Sequence, residues 1–97
     1  MARLLFVVKD TFFIQGRGLV PIPGIVPVDE ETFRLGDPIL LRRPDGTGLV
    51  WQIGGIEMFT PRPPQSDFAI LLKCLTMDDV PVGTEIWSVD RDVSTLV

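Results

Sequence analysis

Histidine is absent from all 97 residues, and cysteine occurs once, as Cys74. The absence of histidine excludes Ser-His-Asp and Cys-His nucleophile pairs and every metal site that needs an imidazole ligand. A single thiol cannot form a disulfide within the chain. Cys74 lies in the apolar run 68–75, so we interpret it as a buried, unreactive thiol, because a reactive one needs exposure and a positive neighbour.

Positive charge is scarce in this chain. Nine Lys and Arg residues oppose 13 Asp and Glu residues, so the net charge is −4 and the pI is about 4.6. A non-specific nucleic-acid binder needs clustered positive charge to displace counterions, and the chain as a whole does not offer it. Arg42, Arg43 and Arg62 leave a local basic patch open, although we favour their interpretation as solvated loop charges.

Long apolar runs are also missing. The run 4–8 holds five apolar residues before Lys9, which is too short for the core of a signal peptide or for a bilayer span. We therefore expect a cytoplasmic protein. The length predicts one small domain that occupies residues 1–97.

The sequence does contain a series of short apolar runs, separated by turn residues among its nine Gly and nine Pro. Such runs, rich in Val, Ile, Leu and Phe and without a sustained helical period, are typical of strands. We count six, at about 3–9, 19–28, 37–43, 48–59, 67–75 and 84–89. They predict an all-β fold, specifically a closed six-stranded antiparallel barrel, in which closure removes exposed strand edges.

Turn and breaker residues refine this pattern. Pro21 and Pro23 fall inside the second strand and cannot donate to a ladder, so we expect that strand to be bulged or to lie at an edge. The pair Asp45-Gly46 predicts the tight turn of a hairpin between the third and fourth strands. Helix is expected only as a single turn, where Thr76 and Asp79 resemble a capping box.

Motifs with established chemistry are weak here. Gly16 and Gly18 begin a pattern like that of a phosphate loop, but Pro21 stands where a third glycine is needed, and a strand follows instead of a helix. We therefore interpret the two glycines as a tight bend that lets strands approach each other. The acidic clusters at 29–31, 78–79 and 90–92 lack calcium-loop spacing and are interpreted as solvated turns, so we assign no metal site.

Five segments stand in a distinctive order. They read K-D-T-F-F-I-Q-G-R-G at 9–18, R-L-G-D-P-I at 34–39, G-I-E-M-F at 55–59, D-F-A-I-L-L-K-C-L at 67–75 and D-D-V-P-V-G-T-E-I at 78–86. Together they resemble the second, β-barrel domain of elongation factor Tu and related translational GTPases. The resemblance covers about residues 5–89, and it implies the same six-stranded barrel as the strand count.

The resemblance implies a barrel that stands alone, without the chemistry of the family. The phosphate loop and magnesium site of the family's GTP-binding domain have no counterpart in this sequence. We therefore expect no GTP hydrolysis, no other enzymatic activity and no cofactor. Fold alone does not establish function, so the site residues have to be considered one by one.

In the family, this barrel helps to hold the aminoacylated 3′ end of transfer RNA. The resemblance implies that Glu57 would receive a ribose hydroxyl and that Phe59 would shape the pocket, while Asp67 stands where the family has Asn. Arg17, in the Gly-Arg-Gly turn, is the fourth candidate for contact with RNA or a partner. Thr60 replaces an Arg of the family, so we expect Glu57 to lack cationic support and any affinity for RNA to be weak.

Four functions stay open. We favour a non-catalytic binding module for a protein partner linked to translation, which predicts an exposed apolar or mixed patch. The alternatives are a weak binder of the transfer RNA end, a cofactor-binding enzyme barrel of the flavin-reductase type, and a homo-oligomer that pairs through the strand of Pro21 and Pro23. No membrane partner is expected.

Overall fold

A computed structural model describes residues 3–28, 31–57 and 68–89. This part of the chain is all-β, as predicted, and its helix is limited to one 3₁₀ turn at Met77–Asp79. The strands, numbered in chain order, are β1 (Leu4–Val7), β2 (Asp10–Ile14), β3 (Gly18–Ile22), β4 (Pro38–Arg42), β5 (Gly48–Gln52), β6 (Gly55–Glu57), β7 (Ala69–Leu71) and β8 (Glu85–Ser88).

The strands form three antiparallel sheets. The largest has the order β1-β8-β4-β5, and the other two are the pairs β2-β3 and β6-β7. The predicted count of six strands is not confirmed, because the described residues contain eight strand segments. Within these residues no sheet closes on itself into a barrel.

The difference in strand count arises at two bends. At the first, the Val8 N–H donates to the carbonyl of Thr84, beside β8, whereas the Lys9 N–H donates to the carbonyl of Ile22 in β3. The chain thus changes partner between β1 and β2, and the strand predicted at 3–9 ends early. No strand was predicted at β2, although its run of β-branched and aromatic residues favours one.

The second bend divides the strand predicted at 48–59. Ile53 donates its N–H to the carbonyl of Asp37, whereas the next N–H, that of Gly54, donates to the carbonyl of Leu71 in β7. The chain therefore leaves β4 at the end of β5 and pairs with β7 along β6. The last two residues of the predicted strand, Met58 and Phe59, lie outside the described residues.

Two isolated bridges join β3 to the β7 segment. Leu19 and Leu72 exchange both backbone hydrogen bonds, at 3.0 and 2.8 Å, and Ile25 and Phe68 do the same at 2.8 and 3.0 Å. Between the bridges the β3 side advances six residues and the β7 side four, so the β3 side carries a bulge of two residues. Pro21, inside this stretch, has no N–H to donate.

The two bridges show how the predicted strand that contains Pro21 and Pro23 is paired. The expectation that the second strand is bulged is confirmed, since the ladder breaks between Leu19 and Ile25. The alternative that this strand pairs across a dimer stays a prediction. In the single chain, β3 has β2 on one side, and Leu19 and the following Ile25 are bridged to Leu72 and Phe68 on the other. The continuous strand predicted at 67–75 is wrong as well, because the chain turns immediately after Leu72.

The main core lies on the inner face of the four-stranded sheet and is covered by residues of the other sheets. Strict alternation in β4 and β8 turns Ile39, Leu41 and Ile86 inward with almost no exposure. They are met from β3, β7 and the residues that follow these two strands, by Leu19, Ile25, Ile70 and Leu72. A smaller buried cluster of Val20, Ala69 and Leu71 packs with Ile14 and Ile22.

The predicted turns form where they were expected. In the β4–β5 hairpin the Asp45 carboxylate accepts hydrogen bonds from the backbone and hydroxyl of Thr47, and Gly46 has a φ of 92°. The capping box is also confirmed, with Asp79 accepting from the backbone N–H of Thr76 at 2.8 Å. No helix in the described ranges is long and apolar enough to cross a membrane.

An ion pair clamps the loop after β3 to the start of β1. The Arg3 guanidinium donates to both carboxylate oxygens of Glu31, at 2.7 and 2.6 Å, and to the carbonyl of Val26. Glu31 also accepts from the Val28 N–H at 2.9 Å. The hydrogen bond from Arg3 is the main reason that the pKa of Glu31 falls to about 2.

Replacing Gly24 by Ala should destabilise the fold strongly. A Cβ at Gly24 would lie 2.4 Å from the carbonyl oxygen of Phe68, and its φ of 108° is unfavourable for any side chain. We expect a loss of about 2–4 kcal/mol, because overpacking adds to backbone strain. Gly16→Ala is the matched control, since Gly16 has a φ of 80° and no atom within 4 Å of such a Cβ. Equal losses of unfolding free energy in Gly24→Ala and Gly16→Ala, measured by urea denaturation, would contradict this account.

Removing the clamp should change the dependence of stability on pH. A carboxyl with a depressed folded pKa contributes stability above its ordinary pKa of 4.5 and loses it as the pH falls toward about 2. As the pH falls between those values, the free energy of unfolding of wild type should decrease by about 1 kcal/mol more than that of Glu31→Gln. The difference is this small because the ion pair is partly exposed. Asp78→Asn, which removes an exposed carboxylate, should follow the wild-type profile. Parallel profiles for wild type and Glu31→Gln in urea denaturation would refute the role of the clamp.

Candidate functional site

Two of the four predicted site residues are described, and they meet. Glu57 is the last residue of β6, and Arg17 lies in the turn between β2 and β3. The Arg17 guanidinium donates through Nη2 to Oε1 of Glu57, which closes an ion pair between residues 40 positions apart. Phe59 and Asp67 lie outside the described residues, so their predicted roles stay predictions.

This ion pair lies at the surface. The Arg17 side chain is 54% exposed and that of Glu57 is 28% exposed. A pair of this kind contributes little to folding, since water screens the charges and two long side chains lose freedom. Its importance is the position in which it holds a carboxylate and a guanidinium, available to a ligand.

A shallow groove of about 410 Å³ begins beside Arg17. Its lining residues come from three turns and strand ends: Gly16, Arg17, Gly54, Gly55, Leu71, Lys73 and Cys74. A side chain would be crowded in its wall, because a Cβ at Gly54 would lie 2.9 Å from Cγ of Lys73 and one at Gly55 would lie 3.0 Å from Cβ of Leu71. The wall at Gly54 and Gly55 therefore consists of backbone.

The charges at the groove differ from the expectation. Glu57 was expected to lack cationic support, because Thr60 replaces an Arg of the family. That expectation is wrong, since Arg17 reaches the carboxylate from a different part of the chain. Lys73 adds a second positive charge to the lining. The arrangement offers donors for an anion and an acceptor for a hydroxyl or amide group.

An exposed aromatic residue lies on the same outer face as the groove. Phe12 pairs with Val20, Val20 packs against Leu71, and Leu71 pairs with Gly55 in the groove wall. Directly paired residues share one face of an antiparallel sheet. Phe12 is 56% exposed, so this face carries an aromatic ring and a charged groove as one mixed surface, with the buried Val20 and Leu71 between them. Sequence reasoning missed Phe12, because an aromatic residue in a strand is ordinarily expected inside.

Cys74 does not have the predicted environment. It is exposed, lies in the turn after β7 with a φ of 67°, and lines the groove beside Lys73. The apolar run 68–75 suggested a strand that continues to Leu75, but the backbone turns at Lys73 and returns Leu75 to the core. The prediction of a buried thiol is therefore wrong.

Of the three arginines that left a basic patch open, Arg43 has a structural role. Arg43 donates to the carbonyl of Asp79 at 2.7 Å and to the hydroxyl of Thr47 at 3.3 Å, so it ties the β4–β5 hairpin to the 3₁₀ turn. The backbone N–H of Thr76 is the main cause that lowers the pKa of Asp79. Arg42 is exposed, and Arg62 lies outside the described residues.

Gly18 is the close approach that the Gly-x-Gly pattern predicts. A Cβ there would lie 2.7 Å from the carbonyl oxygen of Leu72, next to the bridge between Leu19 and Leu72. The interpretation of the pattern as a bend between strands is therefore confirmed. Among the residues that the structure describes, no three His, Cys, Asp or Glu side chains lie close enough together to hold a metal ion.

Compared with family models, with curated proteins and with solved structures, the chain gives no significant match. The case for the candidate site therefore rests on its own geometry. That geometry consists of an ion pair, a groove with a backbone wall and an exposed phenylalanine on one outer face.

The exposed position of Cys74 predicts a reactive thiol in the folded protein. We expect Ellman's reagent to modify one thiol per chain without denaturant, since the side chain is open to solvent. Cys74→Ser should release no colour under the same conditions. A thiol that reacts only after urea is added would contradict the exposed position.

Proposed function

We propose that this chain is a cytoplasmic, non-catalytic binding module of the translation-factor barrel type, which engages a protein partner linked to translation. The observation that carries the proposal is the mixed surface of Phe12, Arg17, Glu57 and the groove on one outer face. Aromatic and arginine side chains are enriched at protein interfaces, where they supply most of the binding energy.

The strand pairings support the barrel part of this proposal. Counting each bent segment once, β1 with β2 and β5 with β6, leaves six strands. Around the ring the pairings run from β1 to β8, β4 and β5, then from β6 to β7, β3 and back to β2. Each of the six has two neighbours, which is the arrangement of a closed sheet.

The charge of the groove favours a protein over RNA. Phosphate binding needs several unpaired cations, since the affinity comes from counterion release. At the groove, the charge of Arg17 is matched by that of Glu57, which leaves an excess of about one positive charge from Lys73. A protein surface with its own charged and apolar groups fits this balance better than a phosphate backbone does.

A weak binder of the aminoacylated transfer RNA end is the second candidate. It is favoured by the pairing of Glu57 with Arg17, because the guanidinium supplies the cationic support that a carboxylate near phosphate requires. The carboxylate retains acceptor capacity for a ribose hydroxyl.

Partner capture with matched variants tests the main proposal. Wild type, Phe12→Ala with Arg17→Ala, and Arg42→Ala are immobilised and exposed to cell extract, and bound translation proteins are identified and titrated. We expect the double variant to weaken the identified complex at least about tenfold, because it removes an aromatic and an arginine contact. Arg42→Ala, which removes an exposed arginine from the four-stranded sheet, should bind like wild type. Equal binding by all three would refute the site.

Amide-resolved NMR with an aminoacylated acceptor-stem mimic separates the two candidates. Shifts confined to Arg17, Glu57 and Lys73 that survive physiological salt would favour the RNA end. Shifts that are diffuse and vanish with added salt would favour a protein partner, because non-specific phosphate contacts are screened. Glu57→Gln controls for the carboxylate, and unchanged RNA binding in that variant would exclude its predicted role.

A further inference from the structure

A row of apolar side chains crosses the outer face of the four-stranded sheet. Leu4 pairs with Trp87, Trp87 with Leu40, and Leu40 with Val50, so the four residues stand side by side across β1, β8, β4 and β5. Their neighbours Ile39, Leu41 and Ile86 point into the core. The row therefore faces outward by alternation in β8, β4 and β5, and Leu4 joins it from the bulged β1.

This row is unusual for an outer face. An antiparallel sheet with one face on the core ordinarily presents polar residues to water on the other. Here Val50 is 60% exposed and Leu4 38% exposed, while Trp87 and Leu40 between them are half-buried. Nothing polar interrupts the row, which suits a second apolar surface.

The adjacent row supplies charge. This row lies two residues away along β8, β4 and β5, and three along β1, which is bulged between Leu4 and Phe6. In it, Val7 pairs with Glu85, Glu85 with Arg42, and Arg42 with Gly48. The Trp87 indole N–H donates to Oε1 of Glu85 at 2.9 Å, which holds the carboxylate beside the apolar row. Arg42 is exposed. The face thus carries one negative and one positive group side by side, on the two central strands.

We infer that this face packs against the same face of a second copy of the chain. A two-fold axis parallel to the strands, between β8 and β4, exchanges β8 with β4 and β1 with β5. It places Leu40 opposite Trp87 of the second copy and Arg42 opposite Glu85 of the second copy. The two-fold axis repeats both contacts, so each occurs twice in the dimer. The face is therefore complementary to itself in both apolar surface and charge, as an isologous dimer requires.

The geometry of such a dimer is that of two aligned sheets. The strands of the two copies run within about 30° of each other, with the sheets about 10 Å apart. Four strands of about five residues offer a plan area of only about 300 Å² per copy. This lies below the area of stable dimers, so we expect a weak and reversible one, with a dissociation constant of about 10–100 µM. The groove lies on a different face, so this inference does not depend on the proposed function.

The dimer can be tested by reversing the charge of Arg42 or of Glu85 and then mixing the two variants. Association is measured by sedimentation velocity across a concentration series. Wild type should shift from 10.8 kDa toward twice that mass as the concentration rises. Arg42→Glu alone and Glu85→Arg alone should each dimerise at least about tenfold more weakly, since each places like charges opposite each other twice. An equal mixture of the two variants should recover dimerisation, because every opposed pair in the mixed dimer is then oppositely charged.

The mixture separates association from folding. Arg42 and Glu85 also face each other within one chain, so either single reversal could change stability. Mixing leaves each chain unchanged and alters only the pairs between chains. A wild type that stays monomeric at about 1 mM, well above the expected dissociation constant, would overturn the inference. A mixture of folded variants that shows no recovery would overturn it too.

A second pair of variants tests the apolar row. Val50→Lys should abolish measurable dimerisation, because it places an ammonium against Leu4 of the second copy. Val50 is 60% exposed in the single chain, so the substitution leaves the core intact. Met77→Lys, at an exposed position of the 3₁₀ turn beside β2, is the matched control and should dimerise like wild type. Equal dimerisation by both variants would exclude the face as the interface.

Discussion

The close approach of β3 to the β7 segment is the constraint on which the rest of the structure depends. Within the described residues, two bridges join these segments, through Leu19 with Leu72 and through Ile25 with Phe68. Gly18 and Gly24 stand immediately before the β3 members of these bridges, where a Cβ would collide with the carbonyl oxygens of Leu72 and Phe68. Without this contact, the β2-β3 and β6-β7 pairs would be separate ribbons, and isolated two-stranded ribbons are marginally stable in water.

The same contact assembles the candidate site. Arg17 and Glu57 belong to different two-stranded pairs, and they meet because β3 and β7 lie side by side. The groove has the same origin, since Gly16 and Arg17 come from one pair and Gly54, Gly55 and Leu71 from the other. Surface electrostatics at this site are thus a product of strand packing, because the charges are 40 positions apart in the chain.

The molecule presents two outer faces of different chemistry. The face of β2, β3, β7 and β6 combines an ion pair, a groove and an exposed phenylalanine, which suits a ligand of mixed character. The face of the four-stranded sheet is a plain apolar row beside one pair of opposite charges. Two such faces on different sheets allow self-association and partner binding at the same time, because neither occupies the residues of the other.

The sequence by itself determined the class of fold, the turns and the excluded chemistries. Short apolar runs between Gly and Pro specify strands, and Asp45-Gly46 and Thr76 specify local turns. The missing histidine removes imidazole chemistry. Each of these features depends only on neighbouring residues or on composition. The tertiary structure alone decided where the strands bend, that Cys74 is exposed, and that Arg17 supports Glu57. Those outcomes depend on which strands become neighbours, and pairing between distant segments leaves no periodic signal in the chain.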